Sequence, residues 1–282
     1  MATEQEIKIP EIEIKRCGMV YTDKVVVVTG GSMGIGEGCA RVFVDAGARV
    51  VICARHAEAG KALEKELNAK GPGTCHFEIC DVSQPDDIKR LVRCTIELYG
   101  GLDCLINNAG YHPAHKVIDD YSLEEFMEVL RTNLVSCFIA SQQALPHLRP
   151  RKGSIINMSS LVGEMGQEVA VTYCATKGAI NAFTKALAIE EARYGVRVNC
   201  VLPGNIFSNS MKQYLKTPEG KKHYHWIIAN QHLGRCGTNE EVGQLCLFLA
   251  SEAAAYITGI TVNISAGAEL GYGTKYPLHF VE

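Results

Sequence analysis

The sequence predicts an α/β fold in which a parallel sheet of about seven strands is covered by helices on both faces. Short apolar runs alternate with amphipathic helical stretches from residue 24 almost to the end of the chain. The strand runs are nearly continuous in apolar residues, as expected where both faces of a sheet are buried. Because right-handed crossovers wind such a chain in one way, a single Rossmann-type doubly wound domain is expected.

The individual elements follow from the period of the apolar residues. The predicted strands are residues 24–29, 49–53, 75–80, 103–107, 154–158, 197–201 and 260–264. The predicted helices are residues 35–45, 58–70, 84–98, 123–148, 173–193 and 240–250. These elements give a catalytic domain at 21–270, preceded by a flexible extension at 1–20 and followed by a tail at 271–282. The irregular section 202–235 is too long for an ordinary connection and is predicted to be a substrate lid.

Composition excludes several classes of function. The net charge of -3 leaves no basic surface for nucleic acid, and no apolar run approaches the roughly 18 residues of a membrane span. The 12 cysteines show no Cys-x-x-Cys pair, so neither a metal site nor a disulfide framework is predicted. The amino-terminal residues lack the apolar core of a secretory signal. A reduced, cytoplasmic enzyme is therefore expected.

A glycine-rich turn follows the first strand and opens the first helix. Gly30 permits the tight turn, Gly34 lets the backbone approach a pyrophosphate, and Gly36 allows the helix to pack on the strand. The helix N-terminus supplies free N–H groups for the anion. The turn therefore predicts a dinucleotide site. Its residues are Gly30, Ser32, Met33, Gly34, Ile35 and Gly36.

The end of the second strand bears on which dinucleotide is bound. A carboxylate there would accept the ribose hydroxyls of NAD, but the chain reads Ala54-Arg55. Arg55 can donate several hydrogen bonds to a 2′-phosphate, which favours NADP(H). The alternative is that Arg55 is a solvated residue at a helix start and that the enzyme uses NAD(H).

Three side chains form a candidate catalytic set. Tyr173 and Lys177 are four residues apart, so both project from one face of a helix. Ser160 follows a predicted strand and so lies at the edge of the sheet where nucleotide crevices open. An alcohol that loses a hydride must also lose a proton, and Tyr173 can take it. The Lys177 ammonium and the oxidised nicotinamide would favour the phenolate, while Ser160 hydrogen-bonds the substrate oxygen.

The motifs together resemble those of the short-chain dehydrogenase/reductase family, in the family's order from about residue 24 to 270. The resemblance implies an NAD(P)-dependent oxidoreductase that interconverts a secondary alcohol and a ketone. The residues that carry it are the glycine turn, Asp81-Val82, Asn107-Asn108-Ala109-Gly110, Asn133, Ser160, Tyr173, Lys177 and Pro203-Gly204.

The same resemblance implies roles for further residues. Asp81 and Val82 should flank the adenine, and Asn108 with Gly110 should lie along the nucleotide. Asn133 should hold a water that relays protons to Lys177. Ile206 and Ser208 should contact the nicotinamide carboxamide, and Met33 stands where many NADP-preferring relatives have a basic residue.

Several stretches, such as 159–163 and 267–273, are similar to the 17β-hydroxysteroid dehydrogenase branch of the family. This similarity implies a cytoplasmic homotetramer linked to NAD, although that branch has an acidic residue where this chain has Ala54. His112 is expected either to contact the substrate or to be a solvated loop residue. The substrate is a steroid on this interpretation; another small alcohol or a sugar is the alternative. A nucleotide-sensing protein without catalysis is the non-enzyme alternative.

Overall fold

The computed structural model describes residues 18–207 and 215–271. The predicted flexible extension lies almost wholly outside the described residues, as do the tail beyond Gly271 and Ser208. The predicted fold is confirmed: seven parallel strands form one sheet in the order β3-β2-β1-β4-β5-β6-β7. The strands are β1 (Val25–Thr29), β2 (Arg49–Ala54), β3 (Thr74–Ile79), β4 (Cys104–Asn107), β5 (Ser154–Met158), β6 (Arg197–Pro203) and β7 (Thr261–Ile264).

Helices cover both faces of this sheet. They are α1 (Gly34–Asp45), α2 (Ala57–Lys70), α3 (Pro85–Tyr99), α4 (Leu123–Leu130), α5 (Ser136–Leu148), α6 (Val162–Met165), α7 (Val171–Glu191), α8 (Pro218–Ala229) and α9 (Asn239–Ala250). The predicted helix at 123–148 contains a π-helical turn at Arg131–Val135, between α4 and α5. Among the described residues, none of these helices has the length and apolar character needed to cross a membrane.

The valines of β1 show why the strands are continuous apolar runs. Val26 and Val28 point into the core beneath α1, α2 and α9, whereas Val25 and Val27 point into the core beneath α3, α5 and α7. All four side chains are at most 1% exposed. Because each face of the strand is buried, no polar position interrupts the run.

The section predicted as irregular contains the helix α8. Thr217 caps it by accepting a hydrogen bond from the Gly220 backbone N–H at 3.0 Å, and Pro218 occupies the first turn. Tyr224 of α8 is buried and makes an edge contact with Phe207, with ring centroids 6.0 Å apart. Tyr224 therefore belongs to a small apolar cluster formed within this section and its end, whereas Trp226 on the same helix is 63% exposed.

Candidate active site

The carboxyl ends of four neighbouring strands, β1, β4, β5 and β6, bring the predicted site together. The sheet order reverses between β1 and β4, which is where nucleotides bind in doubly wound folds. The glycine turn follows β1, Asn108 to Gly110 follow β4, and Ser160 follows β5. Parallel strands that end at one edge thus collect residues distant in sequence.

The glycine turn has the shape of a phosphate cradle. Gly30 and Gly34 adopt left-handed φ values of 64° and 59°, and no atom would meet a Cβ on Gly34 within 4 Å. A Cβ on Gly36 would instead lie 2.3 Å from the Gly30 carbonyl oxygen. Met33 precedes α1 without a side-chain cap, so the first N–H groups of α1 are free to meet an anion. These features fit the pyrophosphate of a dinucleotide.

Asn108 holds the cradle in place. Its side-chain amide donates to the carbonyls of Thr29 at 2.9 Å and Gly30 at 3.2 Å. The Thr29 hydroxyl in turn accepts from the backbone N–H groups of Asn108 and Ala109, both at 3.0 Å. The hydrogen bonds of Asn108 join the loop after β1 to the loop after β4. Its expected position along the nucleotide stays a prediction.

Arg55 stands exposed just after β2, and no ion pair ties it to any carboxylate in the described residues. Arg55 interacts electrostatically with Tyr111, whose hydroxyl interacts with the Glu128 carboxylate. Burial and the Glu128 carboxylate raise the pKa of Tyr111, and Arg55 opposes this shift. Arg55 thus has no ion-pair partner among the described residues, and its contact with a 2′-phosphate stays a prediction.

The two residues expected at the adenine lie after β3. Asp81 is partly buried, and its Oδ1 accepts from the Ser83 N–H at 2.9 Å, which fixes the turn. Val82 is 8% exposed and packs into the core beside this turn. The contact of Asp81 and Val82 with the adenine stays a prediction.

Lys177 and Tyr173 project from one face of α7, as their spacing predicts. Lys177 is 4% exposed and its Nζ donates to the Met158 carbonyl at 2.8 Å, at the end of β5. The same Nζ lies 5.5 Å from the centre of the Tyr173 ring. The Ser159 hydroxyl donates to the Lys177 carbonyl at 2.9 Å. These contacts fix the ammonium below Tyr173.

Ser160 occupies the loop beside this pair. Its Oγ accepts a long hydrogen bond of 3.4 Å from the Val162 N–H, which leaves its donor capacity for a substrate oxygen. Ile206 follows β6 and forms a bridge with Gly237, so its position is anchored from the opposite loop.

Asn133 lies in the π-helical turn, a feature common at functional sites. Its side chain is fully buried and bonds both backbone groups of Tyr111, at 3.0 Å each. Its Nδ2 also reaches the Thr176 hydroxyl at 3.3 Å. Asn133 therefore joins the loop after β4 to α7, next to Lys177. Its relay role stays a prediction.

The mouth of the crevice is lined by polar rings and an amide. The His112 ring contacts the Tyr173 ring in a tilted arrangement with centroids 4.3 Å apart, and the His115 ring with centroids 4.8 Å apart. Gln167 bridges the two histidines, with contacts of 3.4 Å to the Nε2 atom of each. Tyr173 and His112 were expected from the sequence, whereas His115 and Gln167 were not. Gln167 and His115 lie in loops without a motif, and their only signal is nearness to Tyr173 and His112.

A family model described as enoyl-(acyl carrier protein) reductase matches residues 30–269 of this chain. The matched stretch contains the cradle, the Tyr173–Lys177 pair and the loops that surround them. The chain belongs to the short-chain dehydrogenase/reductase family. As a member of this family it is an oxidoreductase with a dinucleotide-binding fold. The expectation of an oxidoreductase is therefore confirmed.

Several relatives of this dehydrogenase/reductase have names that refer to sugars. L-fucose dehydrogenase of Bos taurus is 47% identical over 259 residues, which cover 92% of this chain and 94% of that protein. The L-fucose dehydrogenase of Rattus norvegicus is 48% identical over 256 residues, 90% of this chain and 93% of that protein.

A solved structure of L-sorbose reductase from Gluconobacter frateurii, complexed with NADPH and L-sorbose, is 28% identical. It covers 90% of this chain and 99% of its own, with a TM-score of 0.84. The names of these relatives refer to sugars, and the steroid interpretation of this chain stays a prediction.

Proposed function

We propose that this chain is an NAD(P)-dependent dehydrogenase/reductase that interconverts a hydroxyl-bearing carbon and a carbonyl on a small sugar. The observation that carries the proposal is the polar cluster of His112, His115 and Gln167 against Tyr173. Several hydrogen-bonding groups at one opening suit a substrate with several hydroxyls, whereas a steroid needs mostly apolar contact. The sugar-named relatives support the same choice.

The chain's own residues provide the proton chemistry. Ser160 donates to the substrate oxygen, and Tyr173 accepts the hydroxyl proton during oxidation or returns one during reduction. The buried Lys177 ammonium stabilises the phenolate electrostatically. The nicotinamide supplies the acceptor or donor of the hydride. Asn133 would hold the water that renews the proton beside Lys177, and Ile206 with Ser208 would hold the carboxamide.

A substrate panel followed by nicotinamide absorbance tests the proposal. We expect L-fucose and related monosaccharides to give a higher kcat/KM than 17β-hydroxysteroids. Gln167→Leu should lower kcat/KM for the sugar about tenfold, because a lost hydrogen bond leaves a substrate hydroxyl unpaired. Gln142→Leu, on the exposed face of α5, is the matched control and should change nothing. A steroid turned over more efficiently than every sugar would refute the proposal.

The proposed preference for NADP(H) over NAD(H) rests on Arg55, which follows Ala54 and has no ion-pair partner among the described residues. Arg55→Ala should raise KM for NADPH about 10–100-fold, since a charge-assisted contact contributes roughly 1.5–3 kcal/mol. KM for NADH should stay within about twofold. Ala54→Asp should shift the ratio of kcat/KM values further toward NADH by repelling the phosphate. A native enzyme that already prefers NADH would show that Arg55 is only a solvated residue.

The assembly and the compartment are further proposals. Large apolar side chains stand exposed on the outer helices, with Leu123 68%, Phe138 51% and Ile189 80% exposed. Such surface is typical of subunit contacts, which supports the expected homotetramer. The 11 cysteines of the described part are all free thiols, which supports a reducing compartment such as the cytoplasm.

A further inference from the structure

A second cluster of chemically versatile side chains lies at the outer edge of the sheet, away from the catalytic loops. His76 and Glu78 belong to β3, and Cys94 belongs to α3. Their donor atoms all lie within 4.8 Å of one another. Each of the three residues is partly buried, so the cluster is sheltered but open to ions.

The strand register explains why these residues meet. Cys75 and Phe77 of β3 point into the core beneath α1 and α2. Since successive side chains of a strand alternate, His76 and Glu78 point to the opposite face, where α3 packs. There His76 Nε2 lies 2.7 Å from Glu78 Oε1, and the Cys94 thiol donates to the same oxygen at 3.1 Å.

A fourth residue orients the imidazole from the other side. Glu64 of α2 places its Oε1 3.4 Å from His76 Nδ1. The same oxygen accepts from the backbone N–H of Phe77 at 3.1 Å, on the free edge of the outermost strand. With Nδ1 facing this anchored carboxylate, Nε2 is the nitrogen presented to Glu78 and Cys94. A carboxylate behind the ring is the usual partner of a metal-bound histidine.

We propose that His76 Nε2, Glu78 Oε1 and Cys94 Sγ bind a divalent zinc-like ion at this edge. Thiolate, imidazole and carboxylate together form a donor set that zinc accepts, with bond lengths of about 2.0–2.3 Å. Tetrahedral geometry then separates the donor atoms by about 3.3–3.8 Å, so the distances within the observed cluster have to change by about 1 Å or less. A water would complete the coordination, and the ion would join β3 to α3.

Binding displaces a proton from the thiol. In the free protein Cys94 is a thiol that donates to Glu78 Oε1 at 3.1 Å. One metal–sulfur bond forms, the S–H bond breaks, and the proton leaves to solvent. Nearby Arg90 is paired with Asp87 at 2.7 Å and donates to the Ile79 carbonyl, so it does not occupy the position of the ion.

Titration of the full-length protein with Co²⁺ and Zn²⁺ tests the site without any reference to turnover. We expect one Co²⁺ per chain, with a thiolate-to-cobalt charge-transfer band and the intense visible bands of tetrahedral cobalt, which Zn²⁺ then displaces. Zn²⁺ at about 100 times its Kd should raise Tm by roughly 5 °C. Glu64→Gln should weaken the affinity for Zn²⁺ about 10–100-fold while the charge-transfer band is kept at saturation.

Cys94→Ser should abolish the charge-transfer band, and His76→Asn should abolish the rise in Tm. His147→Asn is the matched control, because His147 belongs to no such cluster in the described part of the chain. Circular dichroism verifies that each variant is folded. The absence of a charge-transfer band in the wild type, or its persistence in Cys94→Ser, would overturn the proposal.

Discussion

Replacing Tyr173 by phenylalanine is expected to lower kcat by roughly a thousandfold while the nucleotide still binds with its normal Kd. The substitution removes one hydroxyl, the group that exchanges the proton with the substrate, and such groups contribute about 10²–10⁴-fold to rates. The ring itself remains, so its contact with the His112 ring and its position near the Lys177 ammonium are retained. Steady-state turnover and fluorescence titration with the reduced nucleotide measure the two quantities separately.

Tyr194→Phe provides the matched control for this variant. Tyr194 lies after α7 and stacks beneath the Arg149 guanidinium, 4.4 Å from it, at the amino-terminal edge of β6 rather than at the crevice. Its variant should keep normal turnover. If Tyr173→Phe kept kcat within about tenfold of the wild type, another group would have to move the proton.

The strands could be predicted closely because their signal is local. Burial on both faces makes each strand an apolar run, and the predicted ends differ from the observed ones by no more than two residues. The helix α8 gave no such signal. Its buried positions, Gly220, Tyr224 and Ile227, have helical spacing, but glycine and tyrosine do not register as an apolar stripe.

The catalytic residues could be predicted because family motifs mark them, whereas the residues around them meet only through the fold. Gln167 reaches His112 across 55 positions of sequence. Nothing in the local pattern at Asn133 predicts the π-helical turn that directs its amide toward Tyr111. Cysteine spacing likewise could not indicate the cluster at Cys94, because its other members come from a strand rather than from a second cysteine motif.

Gly36→Ala should damage both nucleotide use and stability, although it adds a single methyl group. A Cβ at this position would lie 2.3 Å from the Gly30 carbonyl oxygen and 2.5 Å from the Asn108 amide nitrogen. Because the first of these atoms is backbone, relief requires the cradle itself to move. We expect kcat/KM for the nucleotide to fall about 100-fold, as displacements of about 1 Å at such sites do.

The same overlap should lower the free energy of unfolding by about 1–3 kcal/mol, the usual cost of overpacking. Gly178→Ala is the matched control, since Gly178 lies within α7 and the nearest atom to its added Cβ is 3.4 Å away. Alanine is the better helix former by about 0.8–1.0 kcal/mol, so this control should be neutral or slightly stabilising. Thermal unfolding of both variants, with and without nucleotide, distinguishes the two effects. An unchanged Tm and unchanged nucleotide kinetics in Gly36→Ala would mean that α1 does not pack against the glycine turn as closely as these distances indicate.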